Sequence, residues 1–120
     1  MRDAPKDPST FIPLKPSTYS VLLALADGEL HGYAIMQTVT AMTSGREAIL
    51  PGTLYAALAR MVDEGLIEER DGDEETSGGP RRRYYRRTKL GRAVASAESE
   101  RLHALLTIAK AQKILDSGRR

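Results

Sequence analysis

Three stretches with apolar residues at helical spacing, a Gly78-Gly79-Pro80 turn between two strand-like runs, and a last long apolar stripe predict a mainly α fold with a small β-hairpin wing. In order, these elements make a winged helix-turn-helix followed by a long C-terminal dimerisation helix. At 120 residues and 41% hydrophobic content, the chain is one domain with a modest core, and chains this short often gain stability by oligomerising. It holds no cysteine, which excludes disulfides and thiolate metal sites. Two lone histidines do not make a zinc site, so no metal or other cofactor is expected. No apolar run approaches the ~20 residues of a membrane span, and residues 1–16 lack a signal-peptide core. The expected location is cytoplasmic, with no membrane partner.

Residues 1–16 hold prolines at 5, 8, 13 and 16 and read as an extended, flexible arm. The winged-helix unit then spans 17–87. Ser17 or Thr18 can cap a first helix running to about Ala26, with Val21, Leu22 and Leu25 on one face. Asp27-Gly28 stops it. A second helix covers about His31 to Thr43, with Ile35, Val39 and Met42 aligned, and Ser44-Gly45 ends it. Glu47 to Leu50 reads as a short strand. Pro51 suits the first turn of a third helix that ends at Glu64, before Gly65. Leu66 to Arg70 and Arg82 to Arg87 read as two strands around a loop. Thr88 can cap the final helix, expected to reach about Leu115 within an 88–116 dimerisation segment, leaving 117–120 as a tail.

Charge is distributed unevenly although the net value is only +2. Eight acids fall between Asp63 and Glu75, while Arg81 to Arg92 carries seven bases and no acid. One block can neutralise the other within a monomer; the sharper expectation is an anionic partner for the basic block. Arginine forks match phosphate oxygens, and tyrosines interleave with them here. On the third helix, Leu58 and Met61 lie within about 40° of Leu54, with Ala57 and Val62 at the margins. The opposite face carries Gly52, Thr53, Ala56, Ala59, Arg60 and Asp63. Small polar residues with one cation suit a helix entering the major groove of double-stranded DNA. Tyr55 lies on the flank and either anchors the helix or meets phosphate. His31 either donates to a phosphate or fixes its turn, and Tyr19 and Tyr33 carry the same two readings. Arg81, Arg82, Arg83 and Tyr85 complete the candidate DNA-binding set.

The last helix carries Leu102, Leu105, Leu106, Ile108 and Ala109 in a stripe wider than one small domain covers. A second copy of the chain is the simplest partner. No nucleophile–base pair, paired-acid motif or phosphate loop appears, so no enzymatic activity is expected.

The chain resembles the PadR family of transcriptional regulators. The resemblance rests on Thr18-Tyr19 with Leu22 and Leu25, and on His31-Gly32-Tyr33-Ala34-Ile35. It continues in Pro51-Gly52-Thr53-Leu54-Tyr55 with Leu58 and Arg60, then Glu64-Gly65-Leu66-Ile67. The last matches are Gly78-Gly79, Arg83-Tyr84-Tyr85, and Thr88 with Gly91. Each motif is short, but five stand in order over about Leu14 to Leu115. The resemblance implies a winged-helix DNA-binding regulator with a C-terminal dimerising helix, commonly a repressor, some members being released by a phenolic or drug-like ligand. An inverted-repeat operator follows from dimer symmetry. The chain departs from the drug-binding members, which carry a tryptophan on the last helix where Leu102 stands here. A hydrophobic space bordered by Leu22, Leu102 and Leu106 would then suit an aliphatic or small phenolic effector, or none. The competing expectation is a winged-helix protein-interaction module whose basic strand docks on an acidic partner.

Overall fold

Among the described residues, prolines start two of the four α-helices. A computed structural model of the chain describes residues 6–72 and 82–116. The Gly78-Gly79-Pro80 turn, Arg81, the acids Asp73, Glu74 and Glu75, and the 117–120 tail lie outside the described residues. Pro16 opens α1 (Pro16–Ala24), where a fixed φ and a missing N–H cost nothing. The cap is Lys15, not Ser17 or Thr18, because the proline starts the helix two residues earlier than a Ser17 cap would. Pro51 does the same for α3 (Pro51–Glu64), which ends as expected at Gly65 in the left-handed region, φ 82°. The Leu66 N–H then turns back to Met61 O at 2.9 Å and satisfies a terminal carbonyl.

Between them, α2 (Gly32–Met42) buries Ile35 and Val39. Met42, expected on the same face, is exposed. The apolar faces of α1, α2 and α3 meet around Leu22, Leu25, Ile35, Val39, Leu54 and Leu58, which are closed to solvent. Ala57 and Met61 are buried with them, as the spacing predicts.

The sheet has three antiparallel strands in the order β1-β3-β2: β1 Leu30–His31, β2 Ile67–Asp71 and β3 Arg83–Arg87. The short strand expected at 47–50 does not form. Its place is taken by Leu30–His31, which pairs with Tyr85 and Tyr84 on the free edge of β3. In the 47–50 segment the Glu47 N–H goes instead to Thr43 Oγ1 at 3.0 Å, and Pro51 follows at once. Cross-strand pairs put Ile67 opposite Arg87 and Glu69 opposite Tyr85 on the inner face, and Glu68 opposite Arg86 and Arg70 opposite Tyr84 on the outer.

Thr88 caps α4 (Lys89–Ala111) as expected: its Oγ1 accepts the Gly91 N–H at 2.9 Å and donates to Gly65 O at 2.6 Å. Gly91 faces the Leu66 carbonyl so closely that a Cβ there would sit 2.9 Å from the carbonyl carbon and nearer still to the oxygen. Only the first half of α4 is covered, through Gly91, Val94, Ala95 and Glu98. The helix stops four residues short of Leu115, with Lys113 at φ 61° in the turn that follows.

Residues 6–16 are not the free arm that four prolines suggest. Pro8–Phe11 forms a 3-10 turn capped by Asp7, and Phe11, Ile12 and Leu14 pack against the core. Glu98, 2% exposed, accepts the Leu14 N–H at 3.3 Å and a bidentate bond from Arg101 at 2.7 and 2.9 Å. That arginine holds the Glu98 carboxyl below the ordinary glutamate range against the opposing pull of burial. Among the described residues, no helix is long and apolar enough to cross a membrane.

Candidate nucleic-acid interface

The outward face of α3 is as open as its spacing predicts. Gly52, Thr53, Ala56 and Ala59 are exposed, and a Cβ on Gly52 would meet nothing within 4 Å. Arg60 is half-buried and reaches α1, its Nη2 standing 3.4 Å from Thr18 Oγ1. At that length the bond is weak and leaves the guanidinium able to turn outward.

Beside this face lies a concavity of about 480 Å³ lined by His31, Gly32, Tyr33, Tyr55, Arg82, Arg83 and Tyr85. Six residues singled out from sequence therefore converge in one place: His31, Tyr33, Tyr55, Arg82, Arg83 and Tyr85. Gly32 makes this possible. A Cβ there would fall 2.5 Å from Tyr55 Oη, so only glycine lets the Tyr55 ring lie over the start of α2. Tyr55 and Tyr33 remain 48% and 60% exposed, and both present hydroxyl-bearing rings at the rim.

His31 is the centre of the arrangement. Its Nδ1 accepts the Ala34 N–H at 3.2 Å and caps α2. Partial burial and the nearby Arg82 guanidinium push His31 below the usual histidine range, so the ring is neutral at neutral pH. A neutral imidazole has one acceptor nitrogen. Nε2 lies in hydrogen-bond contact with Arg82 Nη1 at 3.1 Å, the ring's tautomer setting which nitrogen accepts. The His31 ring is held edge-on against Tyr84, centroids 5.7 Å apart, while Arg70 lies 4.9 Å over the same ring.

The basic strand is less free than its sequence implies. Arg83 pairs with Glu69 at 3.3 Å and Asp71 at 3.6 Å, and Arg86 with Glu68 at 2.9 Å. Arg70 forks onto Glu29, and Arg87 donates to Ala26 O at 3.2 Å. Acids from the block before the wing thus neutralise part of the basic block after it. These pairs are exposed, and such pairs contribute only about 0–1 kcal/mol each. A stronger anion can displace them at little cost.

Three sequence assignments need correction. Tyr19 belongs to the joint between helices: its hydroxyl lies 2.7 Å from Ser99 Oγ. Ser99 gives its single proton to Ala95 O at 2.8 Å, so Tyr19 is the donor and is committed to α4. Tyr85 is 6% exposed and sits with the core at the base of the concavity. Burial, and then the Glu69 carboxylate, raise its pKa and keep it protonated. Leu22 is closed inside the core, whereas Leu106 is 48% exposed. They do not border one space within a single chain.

Leu102 is half-buried, and Leu105, Leu106 and Ile108 are exposed along the outer half of α4. Sequence reasoning overlooked Leu50, 73% exposed at the start of α3, because the apolar pair Ile49-Leu50 read as a strand. It also overlooked Tyr84, whose ring orients His31. Only the pairing of β1 with β3, across more than 50 residues of sequence, could have placed it there.

The family model described as the transcriptional regulator PadR-like family matches residues 21–97. A transcriptional regulator of Mycobacterium tuberculosis is 32% identical over 85 residues, 71% of this chain and 74% of that one. The solved structure of a transcriptional regulator from Clostridium thermocellum is 29% identical, with a TM-score of 0.69, covering 79% of this chain and 87% of that one. Bacillus subtilis PadR, crystallised with operator DNA, shares the fold at a TM-score of 0.62 and 24% identity, over 69% of this chain and 47% of its own.

Proposed function

Because the chain belongs to the PadR-like family of transcriptional regulators, we propose that it binds double-stranded DNA in the cytoplasm as a homodimer and represses transcription from an inverted-repeat operator. The observation that carries this reading is the gathering of His31, Tyr33, Tyr55, Arg82 and Arg83 around one concavity beside the exposed α3 face. A phosphate oxygen seated there accepts from the Arg82 guanidinium. Tyr33 and Tyr55 flank it with hydroxyl donors, and Arg83 exchanges Glu69 for phosphate. Gly52, Thr53 and Arg60 then face the base edges. Arg81, next to Arg82 in sequence, adds a further cation to the basic block. In the operator complex of Bacillus subtilis PadR, a protein of this fold is bound to its DNA site.

Leu102, Leu105, Leu106, Ile108 and Ala109 supply the dimer contact, since the exposed Leu105, Leu106 and Ile108 form with them a contiguous apolar stripe of the kind that marks an interaction surface. Two-fold symmetry places the half-sites about one helical turn apart, ~34 Å. Any effector, aliphatic or small phenolic, would enter between the two copies of α4 near Leu102 and Leu106.

The test is selection of duplexes from a random pool by the purified protein. An enriched inverted repeat, bound at least about 10³-fold more tightly than its scrambled counterpart at physiological salt, is the expected result. Equal affinity for both duplexes would refute sequence-specific binding.

A further inference from the structure

Leu50 stands where a helix normally wants a polar cap. It is the residue preceding α3, with φ −70° and ψ 148°, and no side chain bonds the free N–H groups of the first turn. Serine, threonine, aspartate or asparagine is strongly preferred there, and an aliphatic side chain is among the poorest choices. Leu50 gains nothing from burial either, being 73% exposed, while its neighbour Ile49 packs against the core. Pro51 starts the helix without a side-chain cap, as Pro16 does for α1, but an exposed leucine at that position is a loss that the fold does not explain.

The position explains it. Leu50 and Thr53 border the same cleft beside the start of α1. The next positions, Gly52 and Thr53, open the exposed face of α3, where nothing obstructs an approaching surface. In helix-turn-helix proteins the N-terminal residues of the reading helix meet base edges. The one apolar feature of base edges in the major groove is the thymine C5-methyl group. We propose that Leu50 is a specificity-determining residue that packs on a thymine methyl in each half-site, selecting T over C at one operator position.

The inference rests on the DNA-binding reading above, and the experiment separates the two. The probe is the duplex that the protein itself enriches from a random pool, resynthesised with deoxyuracil replacing thymine one symmetric pair of positions at a time. Deoxyuracil keeps every hydrogen-bonding group and removes only the methyl. Burial of one methyl changes affinity about fourfold, so the loss at one pair of positions should be about fifteenfold for a dimer. Leu50→Ser should bind the thymine and deoxyuracil duplexes equally, and bind the latter as wild type does. The serine also supplies the missing cap, so its melting temperature should equal or exceed that of wild type, which separates lost recognition from lost folding. Leu50→Ala should show the same insensitivity without the cap. If no thymine pair responds in wild type, or if Leu50→Ser keeps the full response, Leu50 reads no methyl. If no duplex is enriched at all, the DNA-binding reading itself falls and this assignment with it.

Discussion

Replacing Gly91 with alanine sets two opposite effects against each other at one helical position. Alanine is favoured over glycine inside a helix by up to about 1 kcal/mol, and Gly91 lies in the first turn of α4. Against this, the new Cβ would stand 2.9 Å from the Leu66 carbonyl carbon and closer to its oxygen. Ordinary carbon contacts need about 3.5–4.0 Å. The two backbones must therefore separate by at least about 0.6 Å, and more to free the oxygen. Neither segment can yield cheaply. The Leu66 carbonyl accepts the Thr88 N–H at 3.1 Å, and the Thr88 hydroxyl holds both Gly65 O and the Gly91 N–H. Overpacking of this kind costs about 1–3 kcal/mol, and weakening two hydrogen bonds adds roughly 1–2 kcal/mol. The clash outweighs the helix gain, leaving a net loss of about 2–3 kcal/mol. Urea unfolding at fixed protomer concentration reads this as a midpoint about 1–2 M lower, taking roughly 1–3 kcal/mol per M for the slope. Gly52→Ala is the matched control: the same change on α3 has open space around it and should be neutral or slightly stabilising. A Gly91→Ala midpoint at or above wild type, with Gly52→Ala behaving as expected, would refute the packing argument.

Arg82→Ala should flatten the dependence of log affinity on log salt by roughly 0.9 per lost phosphate contact, whereas Arg86→Ala, paired with Glu68 on the outer face of the sheet, should leave that slope unchanged. Leu105→Glu with Leu106→Glu should convert dimers to monomers by light scattering and sharply weaken binding to the enriched duplex; a wild type that already has the mass of one chain would overturn the dimer. Glu98→Ala strands the Leu14 N–H and the Arg101 guanidinium and should cost about 1–3 kcal/mol of unfolding free energy. Because Glu98 titrates lower folded than unfolded, its contribution is complete above the ordinary glutamate pKa and is lost as pH falls through the folded value. Wild type and Glu98→Gln should therefore converge in stability at acid pH and diverge toward neutrality.

Helix order, the α3 core face and the Thr88 cap were legible in the sequence because each depends on residues within a turn or two of one another. Proline at N1, glycine at a helix end and leucines three or four apart act locally. What escaped depends on distant partners. The edge strand at Leu30–His31 exists because β3 offers an unpaired side, and nothing in two residues announces that. Tyr19 and Tyr33 look alike in sequence. One is tied to Ser99, eighty residues away, and the other stands open at the rim. Neutralisation of the basic block by the acidic one was open in the sequence, but which residues pair follows from the strand register, which sets Glu68 opposite Arg86 and Asp71 opposite Arg83. The proline-rich start was read from its backbone restrictions alone, and the apolar Phe11, Ile12 and Leu14 outweighed them.

The joint at the base of α4 has a mechanical consequence. Tyr19 to Ser99 and Leu14 to Glu98 pin the helix to α1 and to the leading segment at adjacent positions. From His103 to Ala111 the helix then runs about 12 Å largely exposed. A stiff rod clamped at one end behaves as a lever. A tilt of about 5° at the clamp carries the far end through about 1 Å over that length. In a dimer joined by α4 the geometry runs the other way as well, and any change in the crossing of the two rods is delivered to α3 through the clamp. The distance between two reading heads would thus be gauged by one serine, one glutamate and a backbone amide of the leading segment.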